Sequence, residues 1–408
     1  MSGCIAIIGA GQAGLQLALS LRTLGYGGRV VLLGDEPGLP YQRPPLSKGF
    51  LAGQETLEDL ELRDPSIFEE ERIELIAGKR VDAVKVGDER GELTLDDGAT
   101  LAFDTLALAT GSTARRLPIP GADLDGVLTL RDVADAERLC AELEAARDVV
   151  VIGGGFIGLE IAATARAQGK TVTVIEAAAR ILARVVAEPV SAHVSDWHRA
   201  QGTTVLINAG VTELTGTDRV TGVVLADGTS IDADVVVTGV GAAPSVALAQ
   251  SLDLPVERGI VTDESGRTSH PRVFAVGDCT VQPHPTVPGR LIGIESVNNA
   301  VEQATAAASA ILGHEPAPRG VPWFWSNQGE LKLQMAGISD GHDHHVVRGD
   351  GSDGRLSVLY YRGDRLIAAD VVNNPRDFNA VRNALAKGAT IDPEAATDVE
   401  VALKSLVR

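Results

Sequence analysis

The run Cys4-Ile-Ala-Ile-Ile-Gly9-Ala-Gly11-Gln-Ala13-Gly14 decides how the rest of the chain is read. A short apolar stretch breaks into a Gly-x-Gly-x-x-Gly turn, and Leu15, Leu19 and Leu24 continue at helical spacing, which predicts strand, tight turn and helix. Glycine suits such a turn twice over. It permits a backbone that side chains forbid, and it lets main-chain N–H groups reach a diphosphate at the positive end of the helix. Residues 30–33 predict a second strand that leads to Asp35 and Glu36, where an acid can accept hydrogen bonds from a ribose.

The arrangement returns at Val149-Val-Val-Ile-Gly153-Gly-Gly155-Phe156-Ile157-Gly158, with helical spacing through Ile161 and Ala165 and a strand over residues 172–175 that leads to Glu176. The acid stands 26 residues after Gly9 in the first copy and 23 after Gly153 in the second. Two complete copies imply two nucleotides. Glu176 would repel a 2′-phosphate and so favours NADH over NADPH, although Arg180, four residues on, is of the type that accommodates that phosphate.

Outward from the two turns, Leu106-Ala-Leu-Ala109-Thr110-Gly111 and Val235-Val-Val-Thr-Gly-Val-Gly241 each predict a strand closing one unit. Val273-Phe-Ala-Val-Gly277-Asp278 predicts another buried strand, and residues 296–312 a long helix. The first domain is therefore expected to be discontinuous, over 1–110 and 238–318, with the second over 111–237. Residues 319–408 lack the glycine fingerprints; alternation over 356–361 and 365–371 predicts antiparallel strands, and 377–387 a helix. The expected fold is α/β, two Rossmann-like dinucleotide-binding domains plus a smaller α+β C-terminal domain.

Composition agrees and excludes other classes. The 408 residues include 45 glycines and only 3% aromatics, a balance suited to parallel sheet with many tight turns. A net charge of −19 disfavours nucleic acid and anionic lipid as partners. The start of the chain shows no basic region and cleavage site of a signal peptide, and the uncharged stretch 235–252 is broken by glycine and proline, so a cytoplasmic protein without a membrane span is expected. Cys4, Cys140 and Cys279 form neither a CxxC pair nor a metal cluster, so no redox-active cysteine pair is expected to carry electrons. Cys279 reads as a small buried filler, Gly341-His-Asp-His-His345 as a solvated loop with no metal, and Trp323 and Trp325 as one core and one exposed ring.

Several segments come in a specific order: Tyr41-Gln-Arg43-Pro-Pro-Leu-Ser-Lys48, Ala109-Thr110-Gly111, 153–160, Val276-Gly277-Asp278, Ile294-Glu-Ser296-Val297-Asn-Asn-Ala300 and Pro322-Trp-Phe-Trp325-Ser-Asn-Gln328. Together they closely resemble the NADH-dependent ferredoxin reductases of bacterial cytochrome P450 and aromatic-ring dioxygenase systems, over nearly the whole chain. The resemblance implies FAD in the N-terminal unit, with Ala13 at the diphosphate turn and Asp35 or Glu36 at the adenosine ribose; spacing alone does not assign which unit holds FAD. It also implies that Arg43 and Lys48 approach the flavin, Val81 offers backbone to adenine, Arg131 reaches the phosphates and Asp278 binds the ribityl chain. Val297 would begin a helix under the pyrimidine ring, where its N-terminus stabilises negative charge on reduced flavin. Lys48 would pair with Glu160 near flavin N5, and Trp325 would cover the opposite approach. Asn327 stands where the family often has Asp, and a Trp or Pro is common in the family near the position of Asn298, which leaves the partner's identity open.

The implied reaction is hydride transfer from NADH to flavin N5, then two single-electron steps to a [2Fe–2S] ferredoxin. Residues 319–408 hold 11 Lys or Arg against 12 Asp or Glu, so almost all of the negative charge lies elsewhere. An acidic partner would be repelled least near Arg376, Arg382 and Lys387. Alternatives are a rubredoxin reductase or oxidase, and an NADH-sensing flavoprotein resembling apoptosis-inducing factor.

Overall fold

The computed structural model describes residues 3–408, and its chain forms two compact units. The first gathers the chain up to Gln42, Glu58–Thr113 and Ala243–Gly320; the second gathers Arg43–Leu57, Ala114–Ala242 and Val321–Arg408.

In the first unit Cys4–Ile8 is the central strand of a five-stranded parallel sheet ordered Val273–Ala275, Thr105–Leu108, Cys4–Ile8, Arg29–Leu33, Ile73–Ile76. Ile5 pairs with Val30 on one side and Thr105 on the other. The chain builds outward to Ile73–Ile76 and then returns to the other side of its first strand, and that reversal opens a crevice at the carboxyl ends of the strands. The strands are apolar throughout because both sheet faces are covered. Ile5, Ile7, Val30 and Leu32 pack under the helices Gln12–Thr23 and Val297–Ile311. Ala6, Ile8, Val31 and Leu33 pack under an antiparallel meander of Val81–Val86, Gly91–Leu95 and Thr100–Phe103.

The second unit repeats the plan. Its parallel sheet runs Thr204–Leu206, Thr171–Ile175, Asp148–Ile152, Val235–Thr238, Val127–Leu128, with a meander of Val211–Gly216, Val220–Leu225 and Ser230–Asp232. It also contains a five-stranded antiparallel sheet ordered Trp323–Gln328, Leu331–Gly337, Arg365–Val372, Leu356–Arg362, His344–Arg348. Helix Pro375–Ala386, capped by Asn374 through Asp377 N, covers that sheet with Phe378, Val381 and Ala384. This is the α/β fold with an α+β C-terminal portion that the sequence predicts.

Neither meander is legible in the sequence, because their strands are short and interrupted by register shifts between Val81 and Ala83 and between Val211 and Glu213. Residues Arg43–Leu57 fall within the stretch 1–110 expected of the first domain, yet they pack with the second unit, as do residues 321–408. No helix among the described residues is long and apolar enough to cross a membrane.

Candidate functional site

The two glycine turns have one geometry. Gly9 and Gly153 both have φ of 112°, and a Cβ on them would lie 2.1 Å from Ala109 O and 2.3 Å from Gly239 O. A Cβ on Gly14 would lie 1.9 Å from Gly9 O, and one on Gly158 2.3 Å from Gly153 O. These glycines are required by close backbone approach. The middle glycines differ in kind: a Cβ on Gly11 would meet nothing within 4 Å, and one on Gly155 only Gly239 O at 4.0 Å. Gly11 and Gly155 are also the N-caps of helices Gln12–Thr23 and Phe156–Ala167, with no side chain capping either. Open space over uncapped helix amides fits a dinucleotide diphosphate in each unit.

Around the first turn the structure brings together the predicted residues of its own unit. Ala109 abuts Gly9, and Gly277, at φ 82°, places its α-carbon where a Cβ would come within 3.0 Å of Ala13 Cβ. Gly277 N donates to buried Gln303 Oε1 at 2.7 Å, which fixes the turn that carries half-buried Asp278. Thr110 Oγ1 donates to Ser245 O at 2.6 Å, and Gly111 follows at φ 63°. Asp35 is exposed, whereas half-buried Glu36 accepts the Tyr41 hydroxyl at 2.5 Å. Val81 opens the meander and is buried. Ser296 Oγ accepts from Asn299 N at 3.1 Å and caps the helix that begins at Val297.

In the second unit, Glu176 lies at the end of Thr171–Ile175 and its carboxylate accepts from Gly154 N at 2.8 Å and Ala178 N at 2.7 Å. The Arg180 guanidinium turns to Val186 O and Ala183 O, both at 2.9 Å, so it is committed to backbone carbonyls of its own loop. Ile157, in the first helical turn, is 43% exposed, an apolar side chain left open at the dinucleotide end of the helix. Gly241 is exposed at φ 102°.

Glu160 is the buried polar centre of this unit. Its Oε2 accepts from Lys48 Nζ at 2.5 Å and from Ser47 Oγ at 2.6 Å, and its Oε1 accepts from Ser326 Oγ at 2.7 Å. The pairing of Lys48 with Glu160 is thus present, with the Lys48 side chain 20% exposed and that of Glu160 5%. Lys48 Nζ also donates to Pro44 O at 2.9 Å. From the same helix, Thr164 Oγ1 donates to Ser47 O at 3.0 Å, and Gln168 Nε2, just past its end, to Leu51 O at 2.8 Å. These bonds explain why Arg43–Leu57 packs here. Glu160, Thr164 and Gln168 stand at i, i+4 and i+8, a polar stripe on an otherwise Leu-, Ile- and Ala-rich helix, and that spacing is the signal by which the segment's partner could have been found. Arg43 Nη1 donates to Arg131 O at 2.7 Å, and Arg131 N to Asp135 Oδ2 at 2.9 Å.

Strand Trp323–Gln328 has two faces. Phe324, Ser326 and Gln328 face helix Phe156–Ala167 and its neighbours, with the Phe324 and Phe156 rings 4.8 Å apart. Trp323 and Trp325 share the opposite face, stacked at 5.3 Å and 30°. Both are half-buried, which corrects the expectation of one core and one exposed ring: residues i and i+2 of a strand point the same way. Arg382 lies 6.0 Å over the Trp323 ring and 5.7 Å over that of Phe378. Cys279 is fully buried, donates to Val276 O at 3.3 Å, and has its thiol pKa raised by burial. In the tract 341–345 the histidines are exposed, but His344 and His345 open strand His344–Arg348 rather than lying in a loop.

Two family models account for the chain: a pyridine nucleotide-disulphide oxidoreductase model matches residues 4–304, and a reductase C-terminal model matches residues 323–407. Rhodocoxin reductase of Rhodococcus erythropolis is 44% identical, over 98% of this chain and 93% of its own. Putidaredoxin reductase CamA of Pseudomonas putida is 40% identical, over 99% of this chain and 96% of its own. Among solved structures, the covalent complex of putidaredoxin reductase with putidaredoxin superposes with a TM-score of 0.95 at 39% identity, covering 99% of this chain and 98% of that one. Paired fingerprint turns, a C-terminal reductase portion and this level of identity over the full length lead to one conclusion: the chain belongs to the pyridine nucleotide-disulphide oxidoreductase family, among its putidaredoxin-reductase-like ferredoxin reductases.

Proposed function

We propose that this chain carries electrons from NADH through FAD to a [2Fe–2S] ferredoxin that supplies a cytochrome P450 or ring-hydroxylating dioxygenase. The observation that carries the reading is the pair of open, uncapped helix starts at Gly11 and Gly155, one for each dinucleotide. Bound FAD would supply the conversion between a hydride from NADH and the single electrons that an iron–sulfur centre requires. The rest is positioning. Gly9, Gly11, Ala13 and Gly14 receive the FAD diphosphate, Asp35 or Glu36 the ribose, Val81 the adenine, Ala109, Thr110, Gly111, Gly277 and Asp278 the ribityl side, and the Ser296-capped helix the negative charge of the reduced ring. Gly153, Gly155, Phe156, Ile157, Gly158, Glu176 and Gly241 receive NADH. Arg43, Arg131 and Lys48 serve the flavin dinucleotide, and Glu160 and Trp325 hold the reacting rings in register. With three unpaired cysteines and a nicotinamide donor, the cytoplasm is the proposed compartment.

Anaerobic mixing of catalytic protein with NADH and a panel of oxidised [2Fe–2S] ferredoxins tests the reading. Rapid bleaching of one iron–sulfur spectrum is expected. Flavin reduction with transfer to none would favour the rubredoxin, oxidase or sensor readings. The ferredoxin is proposed to dock near Arg376, Arg382 and Lys387; Arg382→Glu should raise its apparent KM several-fold in a salt-dependent way, and an unchanged KM at low salt would remove that surface.

A further inference from the structure

Behind the Lys48–Glu160 pair the hydrogen bonding continues, entirely within the second unit. Ser326 Oγ, which donates to Glu160 Oε1 at 2.7 Å, receives Gln328 Nε2 at 3.2 Å. Gln328 Oε1 lies 2.8 Å from His198 Nε2, on helix Glu188–Ala200. Glu160, Ser326, Gln328 and His198 are all buried, the last three without any exposed surface.

Donor and acceptor chemistry gives this chain a direction. His198 Nδ1 has no hydrogen-bond partner among the described residues and is buried. A proton there would be a buried, unsatisfied donor, which costs more than an unfilled lone pair, so the proton resides on Nε2. Nε2–H must then donate to Gln328 Oε1, which turns the Gln328 amide group toward Ser326. With its oxygen receiving from Gln328, the Ser326 hydroxyl hydrogen points at Glu160 Oε1. Each link permits one orientation of the next. Glu160 therefore has Oε1 held from the Ser326 side, and its plane presents Oε2 to Lys48 and Ser47. The strand that carries these links is also the strand of Trp325, whose ring lies on its other face.

We propose that His198, Gln328 and Ser326 are positioning residues for hydride transfer, a directional hydrogen-bond relay that fixes the Glu160 carboxylate and, through it, the Lys48 ammonium. The proposal rests on the NADH–flavin reading above. None of the three is a catalytic residue; they act through Glu160. A protein aligned this way should lose the chemical step when the relay is cut while keeping its affinity for the dinucleotide.

The test uses the full chain loaded with FAD, reduced by NADH in a stopped-flow instrument so that the limiting rate separates from the dissociation constant. Ser326→Ala should slow the limiting rate about tenfold, the equivalent of one lost hydrogen bond to a charged group, with NADH affinity changed less than about twofold. Ser326→Thr, which keeps the hydroxyl, should restore most of the rate. The long-wavelength absorbance of the stacked nicotinamide and flavin rings should weaken in the alanine variant and return in the threonine variant. Independently of turnover, nitrogen NMR of the histidine rings should find His198 in the Nε2–H form. If Ser326→Ala does not retain FAD, Gln328→Met cuts the relay one link further back and should slow the step about threefold. A folded, FAD-loaded Ser326→Ala or Gln328→Met protein with the wild-type limiting rate and absorbance overturns the relay, as does a His198 proton on Nδ1. Failure of the wild type itself to be reduced by NADH would instead overturn the electron-transfer reading.

Discussion

The two fingerprint turns share their backbone down to the φ of the first glycine, and they part company two helical turns later. Seven residues past Gly9 stands Gln16; seven past Gly153 stands Glu160. Gln16 is half-buried and its amide donates to Ser20 Oγ, one turn on, at 3.0 Å. Glu160 is buried and receives Lys48, Ser47 and Ser326. The acids at the second strand also differ: Glu176 is drawn in to hold Gly154 N and Ala178 N, whereas Asp35 stays exposed. The comparison teaches that the glycine pattern specifies only the turn and the open helix start that follows it. What distinguishes one dinucleotide unit from the other is the polar residue placed on the helix behind it.

The largest expected effect splits the cofactors. Gly14→Ala and Gly158→Ala introduce the same methyl group against the same kind of carbonyl, at 1.9 Å and 2.3 Å before relaxation. Gly14→Ala should purify without flavin absorbance, while Gly158→Ala should keep FAD and lose NADH affinity by about a hundredfold, the effect of about 3 kcal/mol. If both variants kept both dinucleotides, the assignment of one to each turn would be wrong.

The next test compares the divergent helix positions. Glu160→Ala strands the Lys48 ammonium and two buried hydroxyls, and should cost about 3 kcal/mol in denaturant unfolding of the FAD-loaded protein. Gln16→Ala should stay within about 0.5 kcal/mol of wild type. Equal losses at the two sites would erase the distinction.

A smaller effect is expected at the ribose acids. Glu176→Ala removes the acceptor of two backbone amides and the charge that repels a 2′-phosphate, so NADH should bind about tenfold more weakly and NADPH relatively better. Steady-state kinetics with both coenzymes would show this, and Asp35→Ala should leave the NADH to NADPH ratio unchanged. The same ratio in Glu176→Ala as in wild type would free Glu176 of its role.

The smallest effect is a pH dependence. Burial pushes the His198 pKa down, opposed by its bond to Gln328. A ring kept neutral in the folded state contributes stability that is fully present above its unfolded value of about 6.5 and is lost as pH falls through the lowered folded value. Buried Asp370, pushed up to about 7 chiefly by burial, acts with the opposite sign in the same range, so the comparison must be made by difference. The stability gap between wild type and His198→Asn should narrow as pH falls below about 6.5. A gap independent of pH between 5 and 8 would mean that His198 is not held neutral.

Much of this molecule was legible from local pattern. The turns at Gly9–Gly14 and Gly153–Gly158, their flanking strands, the acids that follow and the long helix after Ser296 are all contiguous in sequence, and each rests on physics acting within a few residues: backbone freedom at glycine, apolar periodicity and capping. The segment 41–48 was recognisable as a motif, as was its lysine, though from resemblance rather than from periodicity. The meanders escaped because strands of three to six residues with register shifts carry too little alternation to be read.

What only the tertiary structure decided is which distant polar groups share one desolvated site. Ser326 and Gln328 share one strand face, but nothing in the chain's order joins that pair to Ser47, Glu160 and His198, with 166 positions between Glu160 and Ser326 alone. They were brought together because a charge and its donors cannot be buried singly: removing Glu160 from water requires partners for both of its oxygens, and the fold supplies them from two distant segments, Ser47 with Lys48 and the strand of Ser326. The sequence by itself determined the two cradles, since a glycine's steric permission is a local property. The network behind the second one was determined by burial, which is a property of the folded chain alone.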